Sequence, residues 1–120
     1  MEWTKLWLPE PEEHDFPAAA DYLDMLFVPE TVRRLIDALH TTPTQPKKAK
    51  DILRASGLPL LPQDNVHVKH DIHKVKAGAK LSPVLLVRGI PLVIADGYHR
   101  VCAAYHLTED LTVPCRITGP

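Results

Sequence analysis

A chain of 120 residues with 14 Lys and Arg against 15 Asp and Glu is long enough for one hydrophobic core and too short for two, so a single domain is expected. Its formal net charge of −1 provides no whole-molecule field toward nucleic acid or an anionic membrane, and any such binding has to come from a local patch. The two cysteines, Cys102 and Cys115, lack redox or zinc spacing and read as small core residues in a reducing cytosol. No basic leader precedes an apolar run, and no stretch nears the roughly 18 apolar residues of a membrane span, so the expectation is a cytoplasmic protein without a membrane partner.

Residues 1–16 mix Trp3, Leu6, Trp7 and Leu8 with Pro9, Pro11 and several acids, the pattern of an extended segment that docks its aromatics on the body. Pro17 suits a first helical position, predicting a helix over 18–27 with Tyr22, Leu23, Leu26 and Phe27 on one side. Pro29 opens a second helix in which Val32, Leu35, Ile36 and Leu39 recur at i, i+3, i+4, i+7 while Arg33, Arg34 and Asp37 face outward. Together they form a hairpin within a helical N-terminal extension, 1–44, and the loop over 41–46 marks its boundary with a core over 45–120.

In the core, 47–55 has helical propensity, Ser56-Gly57 stops it, and 58–62 runs extended. A third full helix spans 65–77, capped by Asp64 or Asn65, buried through Val68, Ile72 and Val75, and ended by Gly78. The runs 81–87 and 91–95 read as a hairpin around Arg88-Gly89-Ile90, a helix follows over 97–107, and 113–117 is a last strand. The fold class is α/β.

The segment with the most chemistry is Leu92-Val93-Ile94-Ala95-Asp96-Gly97-Tyr98-His99-Arg100, a short strand that breaks at Asp-Gly and continues as a helix opened by His-Arg. A helix start presents unpaired N–H groups and partial positive charge, so a cationic Arg100 and a titratable His99 there make an anion site, most naturally for phosphate. Gly97 serves backbone conformation or close ligand approach. Asp96 either caps and braces the turn or takes part in metal binding or catalysis, and Tyr98 packs or stacks.

With its helix, Leu-Ser-Pro-Val-Leu-Leu-Val strand, second strand, Asp-Gly-Tyr-His-Arg turn, Ala-rich helix and Val-Pro-Cys-Arg-Ile strand, the segment 65–117 resembles the ParB N-terminal/sulfiredoxin superfamily. The resemblance implies a small mixed sheet packed with helices, and a nucleotide whose phosphates lie against 97–100. Sulfiredoxins carry a catalytic cysteine immediately before His-Arg; Tyr98 stands there, and a phenol does not replace a thiolate in attack on a sulfinyl phosphate. ParB turns read Gly-Glu-Arg-Arg, with Tyr98 and His99 here at the glutamate and first arginine, which argues against a partition-type CTP switch. Free-serine kinases of the superfamily are more similar, through an Asp-Gly-His-His-Arg-type turn. In sulfiredoxin-like relatives the helix before the first strand supplies polar contacts to ATP, which makes Lys69 and His73, four residues apart on one face, further candidates. Arg54 is another.

These readings combine into a nucleotide-binding domain in which Gly97, Tyr98, His99, Arg100, Lys69, His73 and Arg54 hold ATP or CTP with Mg²⁺, and Asp96 and His99 carry any catalysis, as phosphoryl transfer or triphosphate hydrolysis. Removing the Arg100 side chain is expected to abolish binding with little loss of stability. The alternative is a non-catalytic, DNA-associated or regulatory partition-like module that uses Lys47, Lys48 and Lys50. An oligomer is compatible with either. His67, His70 and His73 drift about 60° around a helix at each three-residue step, about 120° over two, so the three do not converge on one ion.

Overall fold

The computed structural model describes residues 5–120, leaving Trp3 outside the described residues. Val84-Leu85-Leu86-Val87 is an unbroken apolar run, a pattern satisfied in a strand covered on both faces. All four side chains are buried. Val84 and Leu86 point into one core with Ile52, Val68, Val101, Val113 and Cys115; Leu85 and Val87 point into a second with Phe16, Leu23, Leu35 and Leu39.

Around that strand the chain is a mixed α/β fold. The helices are α1 (Asp15–Leu23), α2 (Pro29–Thr41), α3 (Ala49–Ser56), α4 (Val66–Lys76) and α5 (Tyr98–Leu107), and the strands β1 (Gln45–Lys48), β2 (Val84–Val87), β3 (Val93–Asp96) and β4 (Thr112–Thr118). The sheet order is β1-β4-β2-β3. β2 and β4 are parallel, while β1 pairs β4 and β3 pairs β2 in antiparallel fashion. Helices α1 and α2 cover one face and α3, α4 and α5 the other. Arg116 on β4 fastens α2: its Nη1 donates to the Leu39 and His40 carbonyls at 3.2 and 2.8 Å, and its Nε to Thr44 Oγ1 at 3.2 Å. A positive group at the end of a helix meets both its unpaired carbonyls and its negative pole.

Trp7 docks on the body as expected, fully buried and bridged to Leu81. Cys102 and Cys115 are both buried thiols, and burial pushes Cys115 up to about 12. Asn65 caps α4, its Oδ1 accepting from the His67 and Val68 N–H groups at 3.0 and 3.2 Å. No helix among the described residues is long and apolar enough to cross a membrane.

Three boundaries differ from the sequence reading. Helix α1 starts at Asp15 and stops at Leu23, burying Phe16, Ala19 and Leu23, so Tyr22 and Leu26 are exposed instead of facing the core. Lys47 and Lys48, assigned above to a helix, belong to edge strand β1 with Gln45 and Pro46, and α3 begins at Ala49. Proline and lysine mask a strand in a residue pattern, yet they are what an unpaired sheet edge tolerates. Leu81 stands outside β2 as an isolated bridge.

Because one face of β2 has no cover other than α1 and α2, the helical hairpin and the sheet are expected to unfold together. Leu35→Ala, at a fully buried position, should cost about 2–5 kcal/mol and shift a urea melt as one transition; an early separate transition for the hairpin would contradict this packing.

Candidate functional site

Strand β3 delivers Asp96 to the edge of the sheet, and the chain turns into α5 through Gly97 at φ 109°. A Cβ on Gly97 would collide with Val84 Cγ1, and would lie 2.9 Å from Val84 Cβ and 3.0 Å from Arg100 Nη2. Both the left-handed backbone and the close approach demand glycine. No side chain caps α5, whose hydrogen-bond ladder begins with Val101 N–H donating to the Gly97 carbonyl at 3.0 Å. The N–H groups of Tyr98, His99 and Arg100 precede that bond and keep the positive end of the helix at the turn.

Arg100 folds back into this turn. Its Nη2 donates to Asp96 Oδ2 at 2.9 Å and to the Pro83 carbonyl at 3.2 Å, with both charged side chains 17% exposed. The Nε is buried without a hydrogen-bond partner among the described residues. Beyond Pro83, the Ser82 hydroxyl donates to the buried carboxylate of Asp15, which also accepts from the Glu12 N–H at 3.0 Å. Glu12 and the start of α1 thus hold Ser82, the residue before the one whose carbonyl accepts from Arg100. Tyr98 stands at the other side of the turn, its hydroxyl donating to the Pro59 carbonyl.

Helix α4 supplies the opposing wall. The His67 ring lies against His99, with centroids 4.8 Å apart and planes at 56°. Asp71, one turn after His67, is half-buried within the fields of Arg100 and His99. Burial raises its carboxyl above the ordinary value, opposed mainly by Arg100. Asp96 is raised too, by burial first, with Arg100 opposing and Asp15 adding to the rise. His99 is lowered, by burial and then by His67, which favours the neutral ring at pH 7. Two carboxyls and a histidine displaced in opposite directions around one guanidinium, at a helix start, form a cluster of the kind found at functional sites.

The other candidates lie apart from this cluster. Lys69 and His73 line a cleft with Gln63, Asp64, Ile72 and Lys76, with no residue of the turn among its walls. At about 100° per residue, positions 69 and 73 project from the flank of α4 opposite 67 and 71, and it is the 67/71 flank that meets α5. Arg54 is 84% exposed beside Asp51, 3.4 Å away, in a cleft shared with Lys48, Lys50 and Tyr105. Lys47, Lys48 and Lys50 are divided between β1 and α3, and Lys48 and Lys50 both lean on Asp110, at 3.8 and 2.8 Å. Among the described residues no three His, Cys, Asp or Glu side chains are grouped to hold a metal ion. His67 and His73, on opposite flanks of α4, diverge.

No family model matches the chain, and no curated protein or solved structure matches it either.

Two tests follow from this geometry. Arg100→Ala leaves the Asp96 carboxylate and the Pro83 carbonyl without their partner, so a loss of about 1–3 kcal/mol is expected, contrary to the small effect inferred from sequence; chemical denaturation measures it. Asp71, raised in the folded chain, keeps its proton to higher pH there than in the unfolded chain. Its effect on stability is nil below the ordinary carboxylate range and increasingly unfavourable as pH rises through the raised value. Asp71→Asn should therefore melt at a higher temperature than the parent at pH 7, and the difference should vanish near pH 3; an equal or lower melting temperature at pH 7 would refute the burial penalty.

Proposed function

We propose that the turn at Gly97 binds the phosphates of a nucleoside triphosphate. The observation that carries this reading is the Arg100 guanidinium held inside the uncapped start of α5, beside a glycine that admits no Cβ. A positive helix end, exposed N–H groups and a fork-shaped cation together match a phosphate oxyanion better than any neutral group. The resemblance of the Asp-Gly-Tyr-His-Arg turn to the ParB/sulfiredoxin superfamily supports the same reading, with ATP or CTP as the nucleotides to try first. Of the residues first considered, Gly97, Tyr98, His99, Arg100 and Asp96 stay in the proposal. His67 and Asp71 replace Lys69, His73 and Arg54.

The donor set suits a Mg²⁺ carried in with the triphosphate. Asp71 makes no ion pair or hydrogen bond among the described residues, and Asp96 engages one carboxylate oxygen with Arg100. One or two such carboxylates, with phosphate oxygens completing the shell, is the usual manner in which proteins hold this ion, and it neutralises charge on the phosphates. Asp96 keeps Arg100 oriented, and the neutral His99 ring can take or give a proton at the phosphate end. Where the site turns over, phosphoryl transfer or triphosphate hydrolysis fits, because such reactions ask chiefly for positioning and charge neutralisation. The DNA-associated alternative has less behind it, since two of its three lysines are turned toward Asp110.

Calorimetric titration of ATP, CTP, GTP and ADP with Mg²⁺ tests the proposal. One nucleotide should bind the parent protein, and Arg100→Lys, which keeps the charge without the fork, should weaken it by about tenfold while circular dichroism shows a folded chain. No heat with any nucleotide would overturn the reading.

A further inference from the structure

On the far side of the sheet from α3, α4 and α5, the α1–α2 hairpin carries an open groove of about 390 Å³ with Val32 and Ile36 among its apolar walls and Asp21, Asp24, Asp37 and Arg33 as its charged ones. None of these four charged groups forms an ion pair among the described residues, whereas Lys48, Lys50 and Arg54 elsewhere each have a carboxylate partner. Three carboxylates against one guanidinium leave the groove net negative. Between the two helices of the hairpin, past the end of α1, Met25 is 82% and Val28 65% exposed. A groove with the partly exposed Ile36 over the buried Val32, beside unpaired charge that is mostly of one sign, has the composition of an interaction surface.

We infer that this groove docks an amphipathic helical segment of a partner protein, with an apolar stripe flanked by lysine or arginine. The two helices offer a trough along α2, whose 13 residues span about 20 Å, room for a third helix to lie alongside with apolar side chains at i, i+3, i+4 and i+7 over Val32 and Ile36. The partner's cations meet Asp21, Asp24 and Asp37. An anionic lipid surface or a nucleic acid, both negative, is repelled by the same three residues. The groove lies across the sheet from α4 and α5, so this inference is independent of the nucleotide reading.

The probes are two synthetic peptides of 13 residues, the length of α2, with the same leucine stripe and either lysine or glutamate flanks. Fluorescence anisotropy should show the lysine peptide binding roughly tenfold or more tightly than the glutamate peptide, with the preference weakening as salt is raised. Amide chemical-shift changes in the parent protein should centre on Asp21, Asp24, Ile36 and Asp37, and the variant Asp21→Lys/Asp24→Lys/Asp37→Lys should reverse the peptide preference. Equal binding of both peptides, binding of neither, or shifts mapping to α4 and α5 would overturn the inference. Shifts in the groove on concentrating the protein alone would overturn it in favour of a second copy as the occupant.

Discussion

Strand β2 has no solvent on either side, and that single condition determines how the other elements are arranged. A sheet strand with four consecutive buried apolar residues loses its stabilisation if either face is wetted. The α1–α2 hairpin is therefore half of the cover that the central strand requires. The remaining helices supply the other half, and α5, which joins β3 to β4 and packs there against α4, α3 and β2, begins at the candidate site as a direct result. Packing also decides where the site's parts can be: the start of α5 has to sit at the end of β3, beside the residues that lead into β2.

Charge at that corner is arranged inward. Arg100 sits between a carboxylate and a carbonyl, and Asp96 and Asp71 retain protons more readily than they would in water. A protein gains no stability from holding a half-buried carboxyl such as Asp71 without a bonded partner, so its presence next to an open helix terminus separates it from the exposed ion pairs at Lys50 and Arg54. The latter involve long, solvated side chains whose mutual attraction is screened.

Patterns of short range were readable from the residues alone. The i, i+3, i+4, i+7 repeat of α2, the Asn65 cap, the β2–β3 hairpin and the Asp-Gly break ahead of α5 each rest on neighbours within a few positions. What escaped depended on distant partners. Edge strand β1, with Pro46 and two lysines, has no apolar alternation and exists because β4 pairs with it. On α4, the Val68/Ile72 stripe has two polar flanks of similar chemistry, and nothing local distinguishes Lys69 and His73 from His67 and Asp71. The choice is made by the side on which α5 packs. The inward fold of Arg100 was hidden as well, because its second partner, the Pro83 carbonyl, lies 17 residues away in the sequence.

The absence of room around Gly97 limits how this site could diversify. Its backbone is pressed against Val84, a residue of the central core, so the bottom of the turn and the packing of the sheet are one and the same set of atoms. Variation at this corner is confined to the rim, to His67, Asp71, Tyr98 and His99, while the floor stays constant because the core requires it. Substitutions at Gly97 therefore disturb the core as well as the turn, whereas His67, Asp71, Tyr98 and His99 can change without touching Val84.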